Sequence, residues 1–432
     1  MNKISENNYN SMEYKRSRAA YMAQCTFEYF ISLLVADAFL AKLLTSLGIS
    51  DSMVGIISSF ISMAFIIQLM SIFLVKTKFS SKKLVIFFDT LSQLFFMLMY
   101  VIPFIPVSLA AKKVLVILSI LIAYAGKYLI ISICYKWANS FVEPTKRASY
   151  SATKEIISLV SGIIFTAWIG YVIDRFEDAG NLNGAFLFIA SAMLIINICN
   201  FICFLLIKKE NSTELEANNK SLKDVIKNTL GNKNFRNVII LTILWDVAKF
   251  FSVGFMGTFK TKDLLISVFA IQLINMVANV CRIFVSKPFG RYSDKKSFAK
   301  GFELALYLAA IAFFANIFTT QKHWYFIIIY TVFYNVCLAG INQNNYNISY
   351  SYVKAEYITQ AMALKNSFGG ICGFIASLMG GRLLNYVQAN NNQVFGIPMY
   401  GQQLLSTISF VLVVITILFM HFVVAKQEVK VQ

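Results

Sequence analysis

Apolar positions run along this chain in blocks longer than any element of a soluble domain requires. Runs of 18 or more recur, enough to cross a hydrocarbon core of roughly 30 Å. They are apolar all round rather than alternating, so the pattern predicts membrane-crossing helices and not barrel strands. Twelve spans are predicted, at about 19–46, 51–75, 83–106, 113–142, 149–174, 183–208, 236–260, 263–288, 298–319, 323–353, 356–385 and 399–425. Several exceed 25 residues, which implies tilt or helix beyond the bilayer. The longest polar stretch, KENSTELEANNKSLKDVIKNTLGNKNF (209–235), separates an N-terminal six-helix half (1–208) from a C-terminal one (236–432) and reads as a linker loop.

One segment breaks the pattern. GINQNNYNISYSY (340–352) carries five amides and three tyrosines directly after an apolar run. A loop here would upset the span count and the side of every later loop. A helix instead places Asn335, Asn342, Asn345, Tyr346 and Ser349 on one face, as a polar ladder within span 10. Amides bonded to neighbouring helices as packing glue are the alternative reading.

Composition agrees: 58% of residues are apolar and only 14% charged, against about 25% charged in soluble proteins. The net charge of +18 would suit nucleic acid, but its placement argues otherwise. Lys15, Arg16 and Arg18 before span 1, Lys76, Lys78, Lys82 and Lys83 between spans 2 and 3, and Lys287, Arg291, Lys295, Lys296 and Lys300 between spans 8 and 9 fall on one side. The alternate connections are poor in them. That side is expected to be cytoplasmic, with both termini inside and the lysines against anionic lipid head groups. The polar first 18 residues predict no cleavable leader. Seven cysteines lie in apolar segments and read as small buried hydrophobes. Two histidines, His323 and His421, offer no metal cluster, and no nucleophile elbow or phosphate loop occurs. No cofactor and no enzymatic activity are expected.

The halves overlay on each other. At a shift of 211, Tyr135 meets Tyr346, Lys154 meets Lys365, Gly162 meets Gly373 and Gly170 meets Gly381; at 212, Asp51 meets Asp263. The near-constant offset predicts two copies of one six-helix unit, an arrangement of transporters.

With twelve spans, this duplication and a long central loop, the chain resembles the major facilitator superfamily over nearly its whole length. GRYSDKKSFAKG (290–301) is similar to the family's cytoplasmic loop motif of glycine, three residues, aspartate and a basic residue: Gly290, Asp294 and Lys295 match it, and with Arg291 they form the candidate gating loop. Ser297 replaces the later glycine, and KTKFSSKK between spans 2 and 3 lacks both Gly and Asp. A tight glycine turn with an acid that clasps a neighbouring helix N-terminus would form a gate; a solvated loop acid is the plain alternative. Span 5 keeps Gly162 and Gly170 without the proline of the drug antiporters, which favours helix packing.

The resemblance implies an all-α integral membrane protein of twelve helices, acting as a monomer by alternating access in the cytoplasmic membrane. It also implies a cavity lined by spans 1, 4, 7 and 10. Ionisable residues at depth are costly and are functional candidates by default. Glu28, Asp37 and Lys42 lie on span 1, Lys127 on span 4, and Asp246 and Lys249 on span 7. With Tyr135 and the span 10 ladder they form the candidate solute or proton site. Structural pairing is the alternative, Asp246 with Lys249 at i,i+3 and Glu28 with Lys127 across helices. Lys154, Lys365 and Arg282 sit nearer helix ends and are expected to snorkel. A carboxylate at depth, Glu28 or Asp246, can take a proton from one side and release it on the other. Amides, tyrosines and charges suit a polar solute such as a sugar, nucleoside or organic acid; Trp137 or Trp245 is a candidate to stack on a sugar ring, with aromatic belts and core packing as the alternative. Drug efflux by the same fold, or a non-transporting receptor, are the competing readings.

Overall fold

The computed structural model describes residues 11–74, 81–143, 147–208, 230–353 and 358–427; within them the side chains of 69, 71–74, 81, 132, 135, 136, 138–140, 147–149, 151, 152, 346, 350, 358 and 359 are not described. Tyr135, Tyr346, Lys76 and Lys78 therefore lie outside the described side chains, as does most of the 209–235 linker.

The first eight helices are α1 Met12–Leu34, α2 Asp37–Ser46, α3 Asp51–Ser58, α4 Phe60–Leu74, α5 Ser81–Val101, α6 Leu109–Ser140, α7 Arg147–Asp178 and α8 Leu182–Leu206. Six long ones follow the linker among the described residues: α9 Lys233–Phe250, α10 Val268–Lys296, α11 Phe298–Ile317, α12 Phe326–Tyr350, α13 Ile358–Ala389 and α14 Gly401–Phe419. In hydrocarbon every backbone amide must be bonded within its own segment, which is why apolar runs become helices. Among the described residues eleven segments are long and apolar enough to cross a membrane, at positions matching predicted spans 2 to 12. The protein is a multi-pass membrane protein. Its outward-facing Ile164, Ile195 and Phe284, each more than 60% exposed, belong against lipid tails.

Predicted span 1 is not one rod. It breaks between α1 and α2, where Asp37 adopts φ 47°. The Val35 N–H still bonds the Ile31 carbonyl at 3.2 Å, and the carbonyls of the last turn then lose their i+4 partners. The hydroxyl of Tyr100, itself fully buried, donates to the carbonyl of Leu34 at 2.6 Å. Tyr100→Phe is expected to lower unfolding free energy by about 1–2 kcal/mol, the cost of stranding a buried carbonyl, read as a reduced thermal midpoint in detergent.

Side-chain caps start the helices that follow tight connections. Ser50, Ser108, Asn181 and Ser267 accept from backbone N–H groups of α3, α6, α8 and α10. Gly180, at φ 68°, ends α7, with the Asn181 N–H returning to the Phe176 carbonyl at 2.8 Å.

The chain forms two compact units. The first holds the described residues of 1–39 and 70–219, and the second those of 40–69 and 220–432. In the first, α5 packs on α6 and α8, and α1 on α7 and α8. In the second, α9 packs on α13 and α14, α11 and α12 on each other, and α3 on α13. A matched detail recurs in both. A Cβ on Gly162 of α7 would lie 2.5 Å from the Tyr29 ring of α1, and one on Gly373 of α13 would lie 2.6 Å from the Phe250 ring of α9. These are the glycines that the 211-residue shift aligns, and both permit close approach of a fifth-position helix to a first-position helix.

Two expectations change here. Residues 290–296 are helical, as the last two turns of α10, and Ser297 alone joins α10 to α11, its side chain capping Lys300 N–H at 3.1 Å. Gly290 makes no turn, since a Cβ there would meet only Gln343 at an ordinary 3.7 Å. Arg291, Asp294 and Lys295 are exposed on this helical end, so the segment is a helix terminus and not a loop. The tight glycine in the stretch is instead Gly301, whose Cβ position is occupied by the Ser293 hydroxyl. Core packing also takes both tryptophans. Trp137 stacks on Phe204 and donates to the Lys208 carbonyl at 3.0 Å, and Trp245 is buried in the core of the second unit.

Candidate functional site

In the first unit, α1, α6 and α7 line an open pocket of about 460 Å³, formed by Cys25, Glu28, Tyr29, Ser32, Lys127, Lys154, Glu155 and Ser158. Helical spacing puts Cys25, Glu28 or Tyr29, and Ser32 on one face of α1, and Lys154 with Ser158 on one face of α7. Glu28 Oε1 lies 2.8 Å from Lys127 Nζ, while Gln24, fully buried one turn below, donates to Glu28 Oε2 at 3.0 Å. Thr26 and Ser158 hydroxyls bond across α1 and α7 at 3.2 Å. Lys154 Nζ sits 5.3 Å from the Tyr21 ring centroid. Both ions of the central pair remain about a quarter exposed to the pocket, so an incoming solute can reach them and compete for either charge.

The second unit holds a separate polar cluster. Lys365 of α13 is fully buried. Its ammonium donates to Asn345 Oδ1 at 2.8 Å and to the Ser349 hydroxyl at 3.0 Å. Lys365 therefore does not snorkel. Span 10 is helical through Tyr350, as the polar-face reading required, and Asn345 and Ser349 face α13. The rest of the ladder disperses: Asn342 is exposed, Asn344 is fully buried, and Asn335 bonds the Thr331 carbonyl of its own helix at 2.9 Å. One turn along α13 from Lys365, Gly369 makes room for Asp246 of α9; a Cβ there would fall 2.2 Å from Asp246 Oδ2. Asp246 and Lys249 do not pair, because the Lys249 ammonium is turned over the Phe250 ring at 4.6 Å.

Of the predicted residues, the structure thus joins Glu28 to Lys127, and Asn345 to Lys365. It leaves Asp37 at the α1–α2 break. Sequence reasoning passed over Asp89. This carboxylate of α5 is 4% exposed and accepts from Gln93 Nε2 and Asn200 Nδ2, each at 2.7 Å and both on Oδ2. The signal was present in FFDTLSQLFF, an acid and an amide at i,i+4 in an apolar run.

The family model described as Major Facilitator Superfamily matches residues 21–377. No curated protein sequence matches the chain. Among solved structures, the D-xylose-proton symporter is similar at TM-score 0.69 and 14% identity, covering 95% of this chain and 98% of its own. The xylose transporter XylE from E. coli gives TM-score 0.65 at 14% identity, over 96% of this chain and 100% of that one. The nucleoside transporter NupG gives 0.67 at 11%, over 97% and 100%. At such identities the likeness is one of fold.

Proposed function

Because the chain belongs to the major facilitator superfamily, we propose that it is a secondary transporter of the cytoplasmic membrane, both termini inside, with residues 1–208 and 236–432 as its two halves. It moves a polar solute, sugar-like, nucleoside or organic acid, by alternating access coupled to protons. The observation that carries this reading is the pocket's lining. Four of its eight side chains are charged, two of each sign, and three more bear hydroxyls. Its volume falls in the range of small-molecule sites. An apolar drug would have to strip water from these charges with nothing to replace it; a solute rich in hydroxyls or carrying a carboxylate replaces water's hydrogen bonds directly. The crystallised sugar symporter and nucleoside transporter of like fold support the same solute class. Glu28 is the pocket's coupling carboxylate in the first unit and Asp246 the buried one in the second.

Purified protein is to be screened by thermal shift against sugars, nucleosides, organic acids and lipophilic cations. A ligand at a hundredfold its Kd stabilises by about 2.7 kcal/mol, a readily measured shift. Stabilisation by a polar class, lost in Lys127→Met, is expected. Stabilisation by lipophilic cations alone overturns the polar-solute reading.

A further inference from the structure

Asp89 lies outside the pocket lining, between α5 and α8, and has no cation within ion-pair distance among the described residues. Its surroundings hold too many acceptors. Gln93 and Asn200 both spend an N–H on the same carboxylate oxygen, and Gln93 Oε1, Asn200 Oδ1 and Asn197 Oδ1, all buried, have no partner. Buried carbonyl oxygens without donors are costly. Gln93 and Asn200 thus stand beside the carboxylate with two acyl oxygens that lack a donor, and a proton on Asp89 supplies one of them.

The charges around Asp89 agree. Those whose fields reach it are Glu28 on α1 and Lys127 on α6, of opposite effect; the thiols of Cys25 and Cys134 are the other titratable groups near it. Glu28 and Lys127 are paired at 2.8 Å, so their fields largely cancel at Asp89. Glu28 is held by Lys127 and also faces Lys154 across the pocket. Asp89 is buried with no ion-pair partner among the described residues, where a lone carboxylate anion is costly, and unpartnered acceptors lie beside it.

We propose that Asp89 binds this proton and, once protonated, donates it as a hydrogen bond to the side-chain carbonyl of Gln93 or Asn200. One O–H bond forms on uptake from water and breaks on release. The amide that receives it needs only a half-turn, exchanging N–H for carbonyl oxygen. Any part the site plays in coupling rests on the transporter reading above; the site itself does not.

The test is infrared difference spectroscopy of purified protein titrated from mildly acidic to alkaline pH, following the carbonyl stretch of protonated carboxyls. Asp89→Asn, an isostere of the protonated form, should stay folded, keep the wild-type thermal midpoint at acidic pH and lose one such band. The double variant Glu28→Gln with Lys127→Met should keep that band, since it removes a neutral pair. If Asp89→Asn keeps every wild-type band, the proposal fails. If the double variant loses the band, the proton belongs to Glu28; the proposal fails while the transporter reading stands. If replacing potassium by sodium abolishes the wild-type band, the site binds a metal cation and the proposal also fails. Should Asp89→Asn not fold, Asn200→Ala must shift the band, and an unmoved band overturns the assignment.

Discussion

Glu28→Gln abolishes accumulation driven by a pH gradient in reconstituted vesicles and leaves exchange of labelled for unlabelled solute running. The carboxylate is the partner of Lys127 at 2.8 Å and of Gln24 at 3.0 Å. Gln preserves its shape and some of its hydrogen bonding but can neither ionise nor pair with the lysine. Lys127 is left as a cation whose field reaches Asp89, with no carboxylate at Glu28's position to take up a proton. Exchange needs solute binding and conformational turnover but no net proton movement. The lost charge-assisted hydrogen bond, about 1.5–3 kcal/mol, is read separately as a lowered thermal midpoint. Lys127→Met is the harsher change. It strands Glu28 without a counter-ion, at about 3 kcal/mol or more, and is expected to lower both exchange and thermal midpoint. Proton-driven accumulation at the wild-type rate in Glu28→Gln would remove Glu28 from the coupling scheme.

The second large effect is expected at a position with no side chain. Gly369→Ala places a methyl where Asp246 Oδ2 now lies, 2.2 Å from the new carbon, with Thr242 Cγ2 at 3.0 Å. Either the carboxylate leaves its site or α9 and α13 separate. Overpacking of this kind costs about 1–3 kcal/mol, and transport should be lost with it. The double variant Gly369→Ala with Asp246→Ala separates space from chemistry. Removing the carboxylate relieves the clash, so the thermal midpoint recovers and the two changes are strongly non-additive. Transport stays absent because Asp246 is gone. Recovered transport in the double variant would reduce Asp246 to a packing group.

Most of the fold was legible because membrane helices must be long, apolar and internally bonded, and all three properties are written in linear sequence. Glu28 and Lys127 were legible for the complementary reason, that charge at depth demands a partner. Three features were not. Asp89 lies on a span outside those expected to line a cavity, and its partners are an amide on its own helix and one on α8, 111 residues away. Lys365 looked like an end-of-helix lysine because its acceptors, Asn345 and Ser349, are 20 and 16 residues distant, across a connection that sequence cannot fold. The 290–296 segment looked like a loop because it is polar, yet a helix end beyond the bilayer is polar too, and water satisfies its side chains in either form.

The membership of residues 40–69 in the second compact unit bears on how the protein is made. Ser52 donates to the Gly381 carbonyl at 2.7 Å across 329 residues, and Asp51 accepts from Lys262 at 2.8 Å and from Gln388 at 3.1 Å. A ribosome emits α3 near the start of synthesis and its packing partner α13 near the end. During the interval, the Asp51 carboxylate and the small face of α3 wait in the membrane without their partners, a natural client state for an insertion chaperone. Chains cut at the linker would leave each fragment holding half of a contact that only the other completes.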